Sequence, residues 1–269
     1  MINIKKNFFG FNLNTSDNYI NHVKVSVNSC IQNANLDTYF MYCGHNEELL
    51  NWLQSKPIKL IDVSNYNFIK VIDNHKWASN NHLEIARGAW QRLLIPEVCR
   101  NLHITDEHVL YTDIDVIFMS DISKPINLNV PLFACSREGG SSHIYNTGVM
   151  IINLEYFTQI FDPFTNFAVR HNFDFEAFDQ GALNAFININ NITILNHLEW
   201  NLNSYMHASL ENCKIFHFHG PKSEHIDTYI NNGDISTFPS IYKHLLSRSD
   251  KNLLQSVINY FNNFLNLDN

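Results

Sequence analysis

The chain has 269 residues, 45% of them hydrophobic and 16% charged, which suits one large domain or two small ones with a real core and excludes wholesale disorder. Its 18 Lys and Arg against 26 Asp and Glu leave a formal net charge of −8, so a nucleic-acid partner held through phosphate contacts is not expected. No apolar run reaches the roughly 18 residues of a transmembrane helix, and the opening stretch lacks the apolar core of a signal peptide, so a cytoplasmic location is expected.

Residues 8–13 predict a short apolar strand, followed by the polar turn Asn14-Thr15-Ser16-Asp17-Asn18. Residues 19–30 carry Tyr19, Val23, Val27 and Cys30 at near-helical spacing. A second strand is expected over 38–43, closed by Gly44, then a short helix over 47–54 and a third strand over 58–63. The polar, aromatic stretch 65–80 reads as a loop. A helix should begin at Asn81, capped by that residue with Glu84 as the return partner. Leu83, Ala86, Trp90, Leu93 and Leu94 form its apolar face, and Pro96 marks its end. Residues 108–119 read as one strongly apolar strand interrupted by Asp113 and Asp115. Further strands are expected over 130–136, 148–154, 192–195 and 214–218, and helices over 155–171, 178–186 and 253–267. This alternation predicts an α/β fold with a mostly parallel central sheet, whose ligands bind outside the carboxyl ends of the strands. One domain over 1–225 is expected, with a helical appendix over 226–269. The five scattered Cys show no paired spacing and read as small buried hydrophobes in a reducing compartment.

Four stretches carry chemistry. On a strand, Asp113 and Asp115 would point to one face, and two carboxylates in an apolar run are costly unless paired or metal-bound. Oxygen ligands of this kind suit Mg2+ or Mn2+. The segment Lys214-Ile215-Phe216-His217-Phe218-His219-Gly220-Pro221-Lys222 places two imidazoles at strand spacing, either of which can join the same cation and favour Mn2+. Its Gly220 permits close backbone approach to a ligand, and Lys222 suits phosphate. Tyr145-Asn146-Thr147-Gly148 opens an apolar strand, where Asn146 can offer its amide to a sugar hydroxyl or satisfy a turn. Asp179 and Gln180 open a helix, where a carboxylate is favoured by the helix dipole. Two supporting residues are Tyr19, on which a base can stack, and Arg92, within reach of a diphosphate or else a surface or ion-pair Arg.

Taken in order, these stretches resemble glycosyltransferase family 8, the glycogenin and lipopolysaccharide galactosyltransferase type. The likeness spans about residues 8 to 225. Asp17-Asn18-Tyr19 looks like the family's uracil-contact turn, Gln91-Arg92-Leu93 its helix arginine, and residues 109–116 its DxD strand. Asn146-Thr147-Gly148-Val149, Asp179-Gln180 and His217-Phe218-His219-Gly220-Pro221 match its remaining segments. The resemblance implies a single GT-A domain, of Rossmann-like α/β build, that moves a sugar from a UDP-sugar to a glycan, glycolipid or protein acceptor with retention. It implies that Asp113, Asp115 and His217 hold Mn2+, with Mg2+ as the alternative, and that Asp17, Asn18, Tyr19, Arg92, Asp113, Ile114, Gly220 and Lys222 contact the nucleotide. Asn146, Asp179 and Gln180 would face the donor sugar and the acceptor. Between His217 and His219, the resemblance chooses His217 as the metal ligand.

Two departures stand out. Lys222 comes one residue early, with Ser223-Glu224-His225 in place of the family's Lys-Pro-Trp end. No acidic residue lies on the strand near 131–136, where relatives can carry a donor-sugar Asp, and Glu138 is displaced from it. A catalytically impaired UDP-sugar-binding module therefore stays an alternative. A sugar nucleotidyltransferase is a further one, although the turn after the first strand lacks the Gly-rich basic loop it needs. A phosphatase would place its nucleophilic Asp after the first strand, not at position 113. The C-terminal helix, with Leu253, Val257, Tyr260, Phe261 and Phe264, can dock to the domain, to a second copy in a homodimer or, least expected, to a membrane face.

Overall fold

The computed structural model describes residues 1–15, 19–139, 143–206 and 208–268. In chain order the elements begin with strand β1 (Lys6–Asn12), helix α1 (Ile20–Ser29), β2 (Asp37–Cys43), α2 (Glu47–Gln54), β3 (Lys59–Asp62), α3 (Asn67–Asn74), α4 (Asn80–Ala89) and α5 (Ile95–Asn101). They continue with β4 (His108–Thr112), β5 (Val116–Phe118), β6 (Phe133–Arg137), β7 (Tyr145–Asn153), α6 (Leu154–Arg170), α7 (Asp179–Phe186) and β8 (Thr193–Ile194). The last are α8 (His197–Trp200), β9 (Leu202–Asn203), β10 (Ile215–His217), α9 (Ser223–Ile230), α10 (Ser240–Ser247) and α11 (Lys251–Leu265). The chain divides into two compact units. The first is Met1–Asp17, Leu36–Asp113 and Ser123–Leu195; the second is Asn18–Asn35, Ile114–Ile122 and Asn196–Asn269.

The first unit is built on a seven-stranded sheet in the order β3-β2-β1-β4-β7-β6-β8. Strand β1 runs parallel to β2 and β4, β2 parallel to β3, and β6 parallel to β8, while β7 is antiparallel to β4 and β6. The sheet is thus mixed and mostly parallel, with helices around it, as the alternation of elements implied. All nine residues of β7 are buried, which is the pattern of a central strand covered on both faces. Trp90 anchors the core beside Phe68, Phe164 and Phe173, with ring centroids 6.0, 6.1 and 5.1 Å away. Each fully buried ring of this kind contributes about 1.5–3 kcal/mol through its burial.

Strand β1 outruns its β4 neighbour, because β4 pairs only with Asn7, Phe8 and Phe9. The backbone of Phe11 is satisfied instead by a side chain. Gln91 Oε1 accepts from the Phe11 N–H at 3.2 Å and its Nε2 donates to the Phe11 carbonyl at 3.0 Å. A buried amide here does the work of the missing strand. It also fixes the turn Trp90–Leu94, and so Arg92, against β1.

Several local expectations are corrected. The stretch 65–80 is not all loop: α3 forms within it because Phe68, Ile69 and Ile72 share one buried face. Ser79, not Asn81, caps α4, accepting from the His82 N–H at 3.2 Å. Glu84 does not return to the cap but reaches Arg87 at 3.2 Å and Asn12. Pro96 opens α5 rather than closing a helix, at a position where its missing N–H costs nothing. The apolar run 108–119 is two strands in two different sheets, so Asp113 and Asp115 lie in the break between them, not on one strand face. Strand β7 begins at Tyr145, which places Asn146 within the strand.

The second unit has a three-stranded sheet in the order β5-β10-β9, with β10 antiparallel to β5 and parallel to β9. Two serines of α1 pin β5. Ser26 Oγ accepts from the Val116 N–H and Ser29 Oγ from the Phe118 N–H, both at 3.1 Å. Asp250 caps α11 by accepting from the Asn252 N–H at 2.8 Å. Leu253, Val257, Phe261 and Phe264 are buried in the core of this unit with Val25, Phe216 and Phe218. The C-terminal helix therefore docks within its own unit, and Tyr260 faces outward. Among the described residues, no helix is long and apolar enough to cross a membrane. All five cysteines are buried thiols, none in a disulfide. Burial pushes the thiols of Cys43, Cys99 and Cys213 up to about 12, so they pack as small hydrophobes.

Candidate active site

In the first unit, polar groups gather at the end of β4 and the start of α7. Arg92 is buried, with its guanidinium 4.5 Å from the centre of the Tyr111 ring. Its Nη2 donates to Asp113 Oδ1 at 2.9 Å, Nη1 to the Thr147 carbonyl, and Nε to the Ala89 carbonyl at 3.1 Å. The Nε also lies 2.7 Å from Asp179 Oδ2, a charge contact rather than an aligned hydrogen bond. Tyr111 Oη donates to the same oxygen of Asp113 at 2.9 Å. Arg92 is therefore the counter-charge of two carboxylates, not a side chain extended to solvent.

Asn184 holds α7 onto β7 by accepting from the Tyr145 N–H and donating to the Tyr145 carbonyl, both at 2.9 Å. This brings Gln180 to β7, where its Oε1 accepts from the Thr147 N–H at 3.1 Å. Gln180 Nε2 and Asn146 Nδ2 both donate to Glu138 Oε2, at 3.1 and 2.8 Å. Position in the sequence argued against Glu138. A register shift between Cys135 and Ser136 in the β6–β7 pairing is what the linear pattern does not show; such shifts re-aim side chains. The entry to α7 is tight. Phe178 has φ 52°, in a region that non-glycine residues rarely adopt. At Gly181 an added Cβ would lie 1.9 Å from the Glu176 carbonyl oxygen.

Burial pushes the Asp179 carboxyl up to about 7, with Arg92 opposing the shift and the Asp113 charge adding to it. Between the unfolded value of 3.8 and about 7 only the folded chain keeps this proton, so the group's contribution falls as pH rises through that window and is flat above it. Asp179→Asn should therefore shrink the Tm difference between pH 5 and pH 8 relative to wild type. An unchanged difference would mean that Asp179 is ionised throughout.

In the second unit, the Phe218 N–H donates to the Asp115 carbonyl at 2.9 Å, which sets β10 beside Asp115. His217 Nε2 lies 3.2 Å from Asp115 Oδ1. Its Nδ1 lies 2.9 Å from Asn201 Oδ1. Lys222 Nζ pairs with Asp115 Oδ2 and donates to the Phe218 carbonyl at 2.8 Å. Burial alone would raise the Asp115 carboxyl, but Lys222 and His217 together hold it well below the usual carboxylate range. The Lys222 ammonium is raised in turn, because Asp115 outweighs the burial that opposes it. Tyr19 lies just before α1, with Lys222 Nζ 5.9 Å from its ring centre. Asp17 and Asn18 lie outside the described residues.

His219 is past the end of β10 and half-buried, so strand alternation does not carry it to the face of His217. Gly220 has φ 87° and turns the chain towards Lys222. The residues that replace Lys-Pro-Trp form the first turn of α9, where His225 Nδ1 accepts from the Lys222 N–H at 3.2 Å. Ile114 is buried between the two aspartates. Sequence reading set Glu138 aside and missed Tyr111 and Asn201. It also missed Asn203 and Ser204, whose Oδ1 and Oγ are buried with no partner among the described residues.

No protein-family model matches the sequence, and no curated protein matches it. Solved structures are similar in fold. The galactosyltransferase LgtC, in complex with donor and acceptor sugar analogues, is 17% identical with a TM-score of 0.61, over 91% of this chain and 96% of that one. The glycosyltransferase GlyE of Streptococcus pneumoniae, in its apo form, is 17% identical with a TM-score of 0.61, over 97% of this chain and 64% of that one. Mouse xyloside xylosyltransferase 1 is 13% identical with a TM-score of 0.53, over 80% of this chain and 97% of that one. The chain therefore has the α/β fold shared by these glycosyltransferases, the GT-A fold.

Proposed function

We propose that the chain is a metal-dependent, retaining glycosyltransferase that takes a sugar from a UDP-sugar and passes it to a glycan, glycolipid or protein acceptor. The observation that carries this reading, on the shared fold, is the buried Asp115–His217 pair at the end of β10. Asp113, two residues before Asp115, would join them as ligands of a divalent cation. Two carboxylates and an imidazole fit such an ion, and Mn2+ better than Mg2+. Bound there, the cation would act as a Lewis acid and template that neutralises the departing diphosphate. Lys222 supplies a second positive charge, and Tyr19 a ring for the base. Arg92 keeps Asp113 and Asp179 in place. Asp179 and Gln180 are each held by neighbours, so they bind and orient the sugar rather than attack it. This favours front-side displacement, in which the acceptor enters on the face the diphosphate leaves. The second reading, binding without turnover, has its own support: Lys222 is already committed to Asp115, and α9 replaces the segment that closes on phosphate in the resembled family.

Calorimetry tests the cation. UDP should bind more tightly with Mn2+ than in chelator, and equal affinity would contradict the assignment. His217→Ala should weaken the Mn2+-dependent part strongly, while the half-buried His219→Ala should lower turnover more than metal affinity. The reverse result would exchange the two histidines.

A further inference from the structure

We infer that Asn201 is a positioning residue for the divalent cation: its side-chain oxygen holds the His217 ring so that Nε2 offers its lone pair to the ion. The inference rests on the reading of Asp115 and His217 as cation ligands. Asn201 is fully buried and His217 is 2% exposed, so neither can borrow a partner from bulk water. Asn201 caps the end of α8, its N–H donating to the His197 carbonyl at 3.1 Å. The next two residues form β9, whose Leu202 and Asn203 lie in register with Phe216 and His217 of β10. Asn203 is the register partner of His217, and Asn201, two residues before it, brings Oδ1 to 2.9 Å from Nδ1.

The two ring nitrogens then have distinct tasks. A neutral imidazole has one N–H and one lone pair. On the Nδ1 side the ring meets an amide oxygen, which accepts. On the Nε2 side it meets Asp115 Oδ1 at 3.2 Å, a separation that either a proton on Nε2 or a cation held by both atoms can bridge. With the N–H kept on Nδ1 by Asn201, the Nε2 lone pair and Asp115 Oδ1 can close together on a cation. Metal-bound histidines are typically oriented this way by an outer acceptor. An amide performs the task without adding a second buried negative charge beside Asp115.

The test is Mn2+ binding to the 269-residue chain, followed by electron paramagnetic resonance without nucleotide, with His217→Ala as the floor. Asn201→Leu keeps the volume but removes the acceptor, and should bind Mn2+ about 10–100-fold more weakly than wild type. Asn201→Asp can only accept, so it should match or exceed wild-type affinity. A packing role for Asn201 would not distinguish these variants in that order. If Asn201→Leu does not fold, Asn201→Asp still decides, because an affinity near the His217→Ala floor would mean that Asn201 donates to the ring, and would overturn the inference. So would wild-type affinity in Asn201→Leu. Wild-type binding no tighter than His217→Ala would overturn the inference and the cation reading together, whereas loss in Asn201→Asp alone leaves the cation reading standing.

Discussion

Asp115→Asn should abolish sugar transfer, by about a thousandfold or more, because a neutral amide is a poor ligand for a divalent cation and the metal supplies several kcal/mol at the transition state. The same change should lower Tm. Buried Asp115 is the partner of the partly buried Lys222, and removing one member of a buried pair costs up to about 3–5 kcal/mol by stranding the other. Stability and activity can be separated. Adding Lys222→Met removes the stranded charge, so the double variant should regain much of the lost Tm and none of the activity. Activity must be compared below the lowest Tm of the set. Near wild-type turnover in Asp115→Asn would make this carboxylate structural.

Arg92→Leu should cost about 3–5 kcal/mol of stability at pH 8. Its guanidinium balances Asp113 and Asp179 at once, and Asp179 is 2% exposed. The loss should shrink at pH 5. Without Arg92 the Asp179 carboxyl rises further above about 7, so the folded chain keeps its proton to a higher pH and the stranded charge disappears on acidification. Urea titrations at the two pH values read this directly. A loss below about 1 kcal/mol, or an equal loss at both pH values, would show that Arg92 is not the counter-charge of Asp179.

The sequence pattern carried the α/β class, because short apolar runs alternating with helical spacing leave few layered solutions. It singled out Asp113 and Asp115, since polar residues inside apolar runs demand partners, and Asp179, Gln180 and Lys222 from a helix start and a turn, while only the resemblance chose His217 over His219. It did not show the partners. Glu138 depends on a register shift in the β6–β7 pairing, and Asn201 on which strands lie side by side. Neither is a local property of the chain. The break between β4 and β5 was hidden for the same reason: an unbroken apolar run does not say that its two halves join different sheets. Helix α3 was missed because eight residues are too few for a clear periodicity, and Pro96 because a proline can open a helix as well as close one.

Turnover of a nucleotide sugar is read most directly as UDP release from a panel of UDP-sugars, with Mn2+ or with chelator. At least one donor should release UDP with Mn2+, release should stop in chelator, and His217→Ala should abolish it. Donor binding across the panel without release from any sugar, under conditions where UDP binds with Mn2+, would contradict catalysis and leave a nucleotide-sugar-binding module.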